Sequence, residues 1–227
     1  MKNYLRIITG TVLGMSISAC TVNGQVSSDA PGAAVQSSGK QITDVRQLAG
    51  TYHDLNISVP ADVTFTISPK ATLTVQGDDN IVKTIETRVQ DGVLIITSDK
   101  FSHSKEKVAL IIANPELQSV HLSGATNMTI SGLKGGNLDL SASGANKVVA
   151  TGSVDAVKIH MSGAGDINSK ELKANTASVS ISGTGDVSVN CAKSLAVSIS
   201  GMGNVTYSGK PAQVQKNISG MGKVTPL

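Results

Sequence analysis

The chain has 227 residues, of which three are Tyr, two Phe and none Trp, while 23 are Gly. A globule of this size ordinarily packs large rings in its core, whereas a narrow stack of repeats needs only small aliphatics. Nineteen Lys and Arg against 16 Asp and Glu give no basic footprint, and so few rings give no stacking platform, which argues against a nucleic-acid-binding class.

Residues 1–19, MKNYLRIITGTVLGMSISA, join a basic start at Lys2 and Arg6 to an apolar run from Ile7 and a small-residue end. This is the pattern of a secretory signal, too short for an ordinary transmembrane anchor. Ile17-Ser18-Ala19-Cys20 resembles the lipobox of bacterial lipoproteins, where cleavage leaves the Cys as a lipid-bearing N-terminus. Ordinary cleavage after Ala19 is the alternative, for which Ile17 is a poor residue. Cys20 is therefore the expected lipid attachment, with the membrane as partner. Thr21, where an Asp would favour inner-membrane retention, points to the outer membrane. Loss of Lys2 and Arg6 leaves 17 basic against 16 acidic residues. A lipidated Cys20 leaves Cys191 alone, and it reads as a small half-buried residue and not as a reactive thiol.

From Thr21 to about Gly50 the chain is rich in Ser, Gly, Ala and Gln without any hydrophobic period. A flexible tether is expected over 20–50, with a span of roughly 30 Å. The folded domain is expected over 51–227. Leu55, Ile57 and Val59 alternate with polar residues, as do Val63, Phe65 and Ile67, the signature of half-buried strands. ATLTVQG reads as another strand. DDNIVKTIETRV reads as one short helix, with Asp79 near its cap and Ile81 facing Ile85. VLIIT and KVALII read as strands, the second stopped by Asn114-Pro115.

A repeat then occupies 117–227. The Gly of each Ser-Gly pair falls at 124, 144, 163, 183, 201 and 220, a period of about 19 residues, which signals a solenoid with one coil per repeat. Two, four and six residues before the Gly stand apolar residues, such as Ile181, Val179 and Ala177, with polar residues between. Four residues after it stand Met128, Val148, Ile167, Val187, Val205 and Val224. Each coil thus has a strand, a Ser-Gly corner and a second strand. The corner Gly is expected to supply a backbone angle closed to other residues, and the Ser to bond turn backbone. In the last coil Lys216 takes an inward position and Pro226 a strand position, both of which discourage edge-to-edge pairing.

Three residues after each corner Gly runs a polar column: Asn127, Lys147, Asp166, Asp186, Asn204 and Lys223. Asp166 and Asp186 would stack one coil apart, and two close carboxylates could hold a cation or act as an acid–base pair on a polysaccharide. Lys147 beside Asp166 and Asn204 beside Asp186 favour instead an exposed, charge-compensated column. His121 and His160 share a repeat position two coils apart, about 10 Å, too far for one metal. Gly-x-Gly lacks the third Gly and the helix of a dinucleotide site, and the period is twice that of calcium-binding nonapeptide repeats. No catalytic residue, metal or cofactor is assigned.

SGAGDI, SGTGDV and SGMGNV, preceded by DLNISVPADVTFTI, LTVQGDDNIVKTIETRV and DGVLIIT, resemble the head GIN domain family of adhesin-like proteins over about residues 51–227. The resemblance implies an all-β, right-handed β-helix or solenoid in a secreted or lipid-anchored envelope protein, and no enzyme activity. No membrane-barrel segment is expected after Leu227. The expected function is a non-catalytic, envelope-tethered binding scaffold for a glycan or protein ligand. The alternatives are a polysaccharide-active enzyme using Asp166 and Asp186, or a structural periplasmic protein with a protein partner.

Overall fold

The computed structural model describes residues 37–99 and 107–227. The signal segment, Cys20 and the first part of the expected tether lie outside the described residues. Strand alternation dominates everything else. β1 (Gln41–Arg46), β2 (Asp54–Ile57), β3 (Ala61–Ile67) and β4 (Thr72–Asp78) precede one short helix, α1 (Asp79–Val82). β5 (Glu86–Gln90), β6 (Val93–Thr97), β7 (Val108–Asn114) and β8 (Ser119–Leu122) follow. The repeats supply β9 (Thr126–Lys134), β10 (Asn137–Ala142), β11 (Ala145–Met161), β12 (Ala164–Ile181), β13 (Thr184–Ile199), β14 (Met202–Ser208), β15 (Gln213–Ile218) and β16 (Lys223–Pro226).

These strands wind into a β-solenoid with two long faces. On the first face β7, β3, β9, the first half of β11, and the first parts of β12 and β13 pair in parallel, then β14 and β16. On the second face β6, β2, β8, β10 and the later parts of β11, β12 and β13 pair in parallel, ending at β15. The inward residues are those the period picked out. Val157, Ile159, Met161, Ala177, Val179, Ile181, Leu195, Val197 and Ile199 are buried from one face, and Met128, Val148, Ile167, Val187 and Val205 from the other. Phe65 is fully buried, and Cys191 is a buried free thiol whose pKa burial pushes up. Small aliphatics suffice because the two faces lie close together and each residue also stacks on its equivalents in adjacent coils.

The N-terminal coils are stacked out of chain order. β2 lies between β6 and β8, and β3 between β7 and β9. The chain therefore lays down one coil, returns to build the coil before it, and then steps over the first to continue.

Two expectations are corrected. β1 falls inside the span read as tether: Gln41–Arg46 pairs antiparallel with β4, with Ile42 and Leu48 packed against the core. Its alternation is short and half-exposed, so it carries no strong period, and part of the span read as flexible is a paired strand. The helix is also shorter than the stretch that suggested it. Only Asp79–Val82 is helical, with Asp78 as its N-cap. Glu86–Gln90 is instead a strand, joined to β6 by Asp91-Gly92, both at positive φ (51° and 77°). This is the two-residue turn whose twist suits a hairpin. Ile81, Val82 and Ile85 are buried, so the helical turn still serves to cover apolar surface.

The corner glycines also differ from expectation. Gly183 and its equivalents in the other coils do not sit at positive φ. Their constraint is stacking. From Gly144 to Gly201 the corner Gly carbonyl accepts from the next coil: Ala164 N–H to Gly144, Thr184 N–H to Gly163, Met202 N–H to Gly183 and Met221 N–H to Gly201, each at 3.0 Å. A Cβ on Gly183 would lie 1.8 Å from the Gly163 carbonyl oxygen. In two of the coils positive φ falls on the second Gly of the motif, at 143° in Gly165 and 148° in Gly185. One corner Ser behaves as expected: Ser143 donates to the Leu122 carbonyl at 3.2 Å.

Gly183→Ala should therefore destabilise the domain by on the order of 3 kcal/mol, since the clash is with backbone of the coil beneath. Ser180→Ala, on the outer side of the same strand, should stay within about 0.5 kcal/mol. Denaturant melts of the two variants check this, and similar midpoints would contradict the stacking account.

Candidate binding faces

The polar column is assembled in register on the outside of the first face. Asn127, Lys147, Asp166, Asp186, Asn204 and Lys223 stand on successive neighbouring strands, all exposed. Asp62 of β3 extends it by one strand, opposite Asn127. Sequence periodicity missed Asp62 because β3 precedes the Ser-Gly repeats. Asn127 Nδ2 donates to Asp62 Oδ1 at 2.7 Å, and Lys107 Nζ lies 3.4 Å from the same oxygen. Asn204 Nδ2 donates to Asp186 Oδ1 at 2.9 Å. Asp166 is flanked by Lys147 on one side and Asp186 on the other. Among the described residues no group of three or more His, Cys, Asp and Glu could hold a metal ion. His121 and His160 stand in register with Ser141 between them, on the second face.

A different recess, without a sequence motif, lies where the chain passes from the first face to the second. It is a cleft of about 1100 Å³ between the Pro115–Gln118 loop and the Lys134–Asn137 corner, and it opens onto Asp54, Asp139 and Lys158. Lys158 Nζ lies 3.6 Å from Asp139 Oδ2. A shallower recess of about 430 Å³ shares Ala156 and Lys158 with it and continues across Thr176, Ser178, Ser194 and Ala196 to Gln213 and Gln215. These outward positions are in register, so small side chains lie side by side and leave the strip low. From β2 to β15 the trough crosses six inter-strand steps, or about 29 Å.

Both walls of the cleft are pinned. Asn114 is buried, and its Nδ2 donates to the carbonyls of Tyr52 (2.8 Å) and Glu116 (2.7 Å), tying the loop to the strand side. Tyr52 is buried, its hydroxyl 3.5 Å from the Ala113 carbonyl, and desolvation raises its pKa to about 12. Opposite, Gly135 and Gly136 both take left-handed angles (68° and 72°). Gly136 N–H donates to Asp155 Oδ2 at 3.1 Å, and Gly135 N–H to the Ser153 carbonyl at 2.8 Å. Asn114-Pro115 marks the first wall in the sequence, but only as a strand stop. The trough itself has no signature, since it is made of ordinary small residues that the register happens to align.

The family model described as "putative auto-transporter adhesin, head GIN domain" matches residues 51–211. No curated protein matches the chain. Among solved structures, one titled a "putative adhesin" from Bacteroides fragilis is similar at 22% identity, covering 86% of this chain and 100% of its own, with a TM-score of 0.69. A "putative lipid binding protein" from Parabacteroides distasonis is similar at 20% identity with the same coverages and a TM-score of 0.51. A "putative adhesin" from the same organism gives 19% identity, again the same coverages, and a TM-score of 0.51.

Burial of Tyr52 has a consequence at alkaline pH. Its folded pKa of about 12 exceeds the ordinary value near 10. The unfolded chain therefore loses this proton first, and stability should fall as pH rises from about 10 towards 12. Tyr52→Phe should show a shallower loss over that window. Chemical denaturation across pH 9–12 measures it, and parallel profiles would mean that the phenol is solvated.

Proposed function

Because the chain belongs to the head GIN domain family, we propose that it is an adhesin-like binding scaffold of the cell envelope, tethered by lipid on Cys20 and without catalytic activity. The observation that carries this reading is the trough on the second face. It is open along its length, lined by small hydroxyls, amides and the Asp139–Lys158 pair, and long enough to contact several units of an extended ligand. Among the described residues Tyr52 and Phe65 are buried and Tyr207 packs on the core, so no ring is laid out for stacking on a sugar face. Recognition then rests on many modest hydrogen bonds along a polar chain, glycan or polypeptide. Affinity gains from several copies held on one membrane surface.

The column on the first face supports the same non-catalytic reading. Asp166 and Asp186 are exposed, and one of them already accepts from Asn204. A carboxylate pair acting on a glycosidic bond works within a cleft that shields the bond from bulk solvent and holds the sugar in place. A tether reaching from Cys20 to β1 would hold the domain clear of the headgroups.

Thr176→Arg and Ser194→Arg, which fill the trough, should each lower attachment of the protein to glycan and peptide arrays by about tenfold. Asp166→Asn/Asp186→Asn should change it little. Wild-type cleavage of a glycan that disappears in the double Asp variant would replace the scaffold with an enzyme. Cys20→Ala should release the protein from the membrane fraction, and protease treatment of whole cells reports whether the domain faces outward.

A further inference from the structure

The two ends of the solenoid are finished differently. At the N-terminal end the β5–β6 hairpin, the β1–β4 pair and α1 cover the stack, and the inward residues Leu94, Ile96, Leu110 and Ile112 are buried. At the other end β15 pairs with β13 alone. Its inward residues Val214 and Ile218 are 37% and 41% exposed, where Leu195 and Ile199 one coil earlier are 2% and 0%. Between them Lys216 takes the place of Val197.

The ladder decides which backbone groups are free. Ser219 N–H donates to the Ile199 carbonyl at 2.9 Å. Parallel strands use alternate residues for each neighbour, so Gln215 and Asn217 face β13. The N–H and C=O groups of Val214, Lys216 and Ile218 face the open side. β16 is different. Leu227 N–H donates to the Tyr207 carbonyl at 2.8 Å, which turns Pro226 outward, where it has no N–H to offer. The β16 edge is thus interrupted by a proline, and the β15 edge carries its full set of donors.

From Tyr207 to Leu227 the chain holds Lys210, Lys216 and Lys223 and no acidic residue. The Lys216 amine contacts the Val224 carbonyl (3.0 Å) and lies 5.8 Å from the centre of the Tyr207 ring. It has no carboxylate partner among the described residues. We propose that the free edge of β15 docks one strand of a partner protein, whose inward-facing residues run apolar, acidic, apolar. The outer apolar residues would cover Val214 and Ile218, the acid would meet Lys216, and the backbone would complete the ladder, as in strand addition generally. A second copy paired through its own β15 does not fit, because that would bring Lys216 against Lys216. Lys216 thus repels self-pairing and basic strands and selects an acidic one. This surface is separate from the trough reading and can fail without it.

The test uses the full chain and fluorescent capped peptides, Thr-Val-Thr-Glu-Thr-Ile-Thr and a counterpart with Lys for Glu, read by anisotropy. The Glu peptide should bind at least tenfold tighter, and Lys216→Glu should reverse the preference with an unchanged melting temperature. Replacing the Glu with N-methyl-glutamate, and separately the threonine after it with N-methyl-threonine, removes backbone donors on opposite edges of the peptide strand, and one of the two should abolish binding. Equal affinity for the two peptides, a preference that survives Lys216→Glu, full binding by both N-methylated peptides, or a specific dimer of the Gln215→Cys variant cross-linked through that residue would each overturn the proposal.

Discussion

At the corners of Gly144, Gly163, Gly183 and Gly201 a glycine carbonyl occupies the space that a Cβ of the next coil's glycine would need. The same oxygen accepts an N–H from that coil, so the hydrogen bond joining two coils and the prohibition on a side chain are one fact seen from two sides. Everything else follows from coils held this close. The strands on either side of the corner are forced into register, inward aliphatics stack on their equivalents, and outward residues line up in columns. A side chain at one corner would separate two coils, and its cost would spread along both faces.

Columns are therefore an inevitable product of the fold, and alignment alone does not mark a site. The Asp166 and Asp186 carboxylates stand together because the register puts them there, and their neighbours Lys147 and Asn204 already balance them. The trough is more informative because it needs more than register. It requires small residues at the same outward position in successive coils and two loops raised around its deep end, one fixed by buried Asn114 and the other by paired left-handed glycines. Such supports cost stability or sequence freedom, and they hold an opening in place.

Most of the solenoid could be read from the sequence because its constraint is periodic. The Ser-Gly spacing placed the corners, the inward residues and the whole polar column in the right register, and it put Lys216 and Pro226 on the final strands. What escaped has no period. β1 is a single short strand whose pairing depends on β4, far along the chain. Glu86–Gln90 has a composition that suits helix or strand until the Asp91-Gly92 turn pairs it with β6. The corner glycines were found for the wrong reason, since a residue excluded by a neighbouring coil looks in sequence just like one selected for its backbone angle. The trough stayed invisible because Ala156, Thr176 and Ser194 are unremarkable until three coils are laid side by side.

The coil of β2 and β3, inserted between its successors, gives folding a direction. Within the repeats, paired residues such as Asp166 and Asp186 are 20 apart in the chain. To seat β3 against β9, Asp62 must find Asn127, 65 residues away. Closing the longer loop costs about 1 kcal/mol more in chain entropy. The C-terminal coils can form from neighbouring contacts, whereas the N-terminal coils need partners made much later. A chain emerging N-terminus first would hold its earliest strands idle until the repeats arrived to receive them.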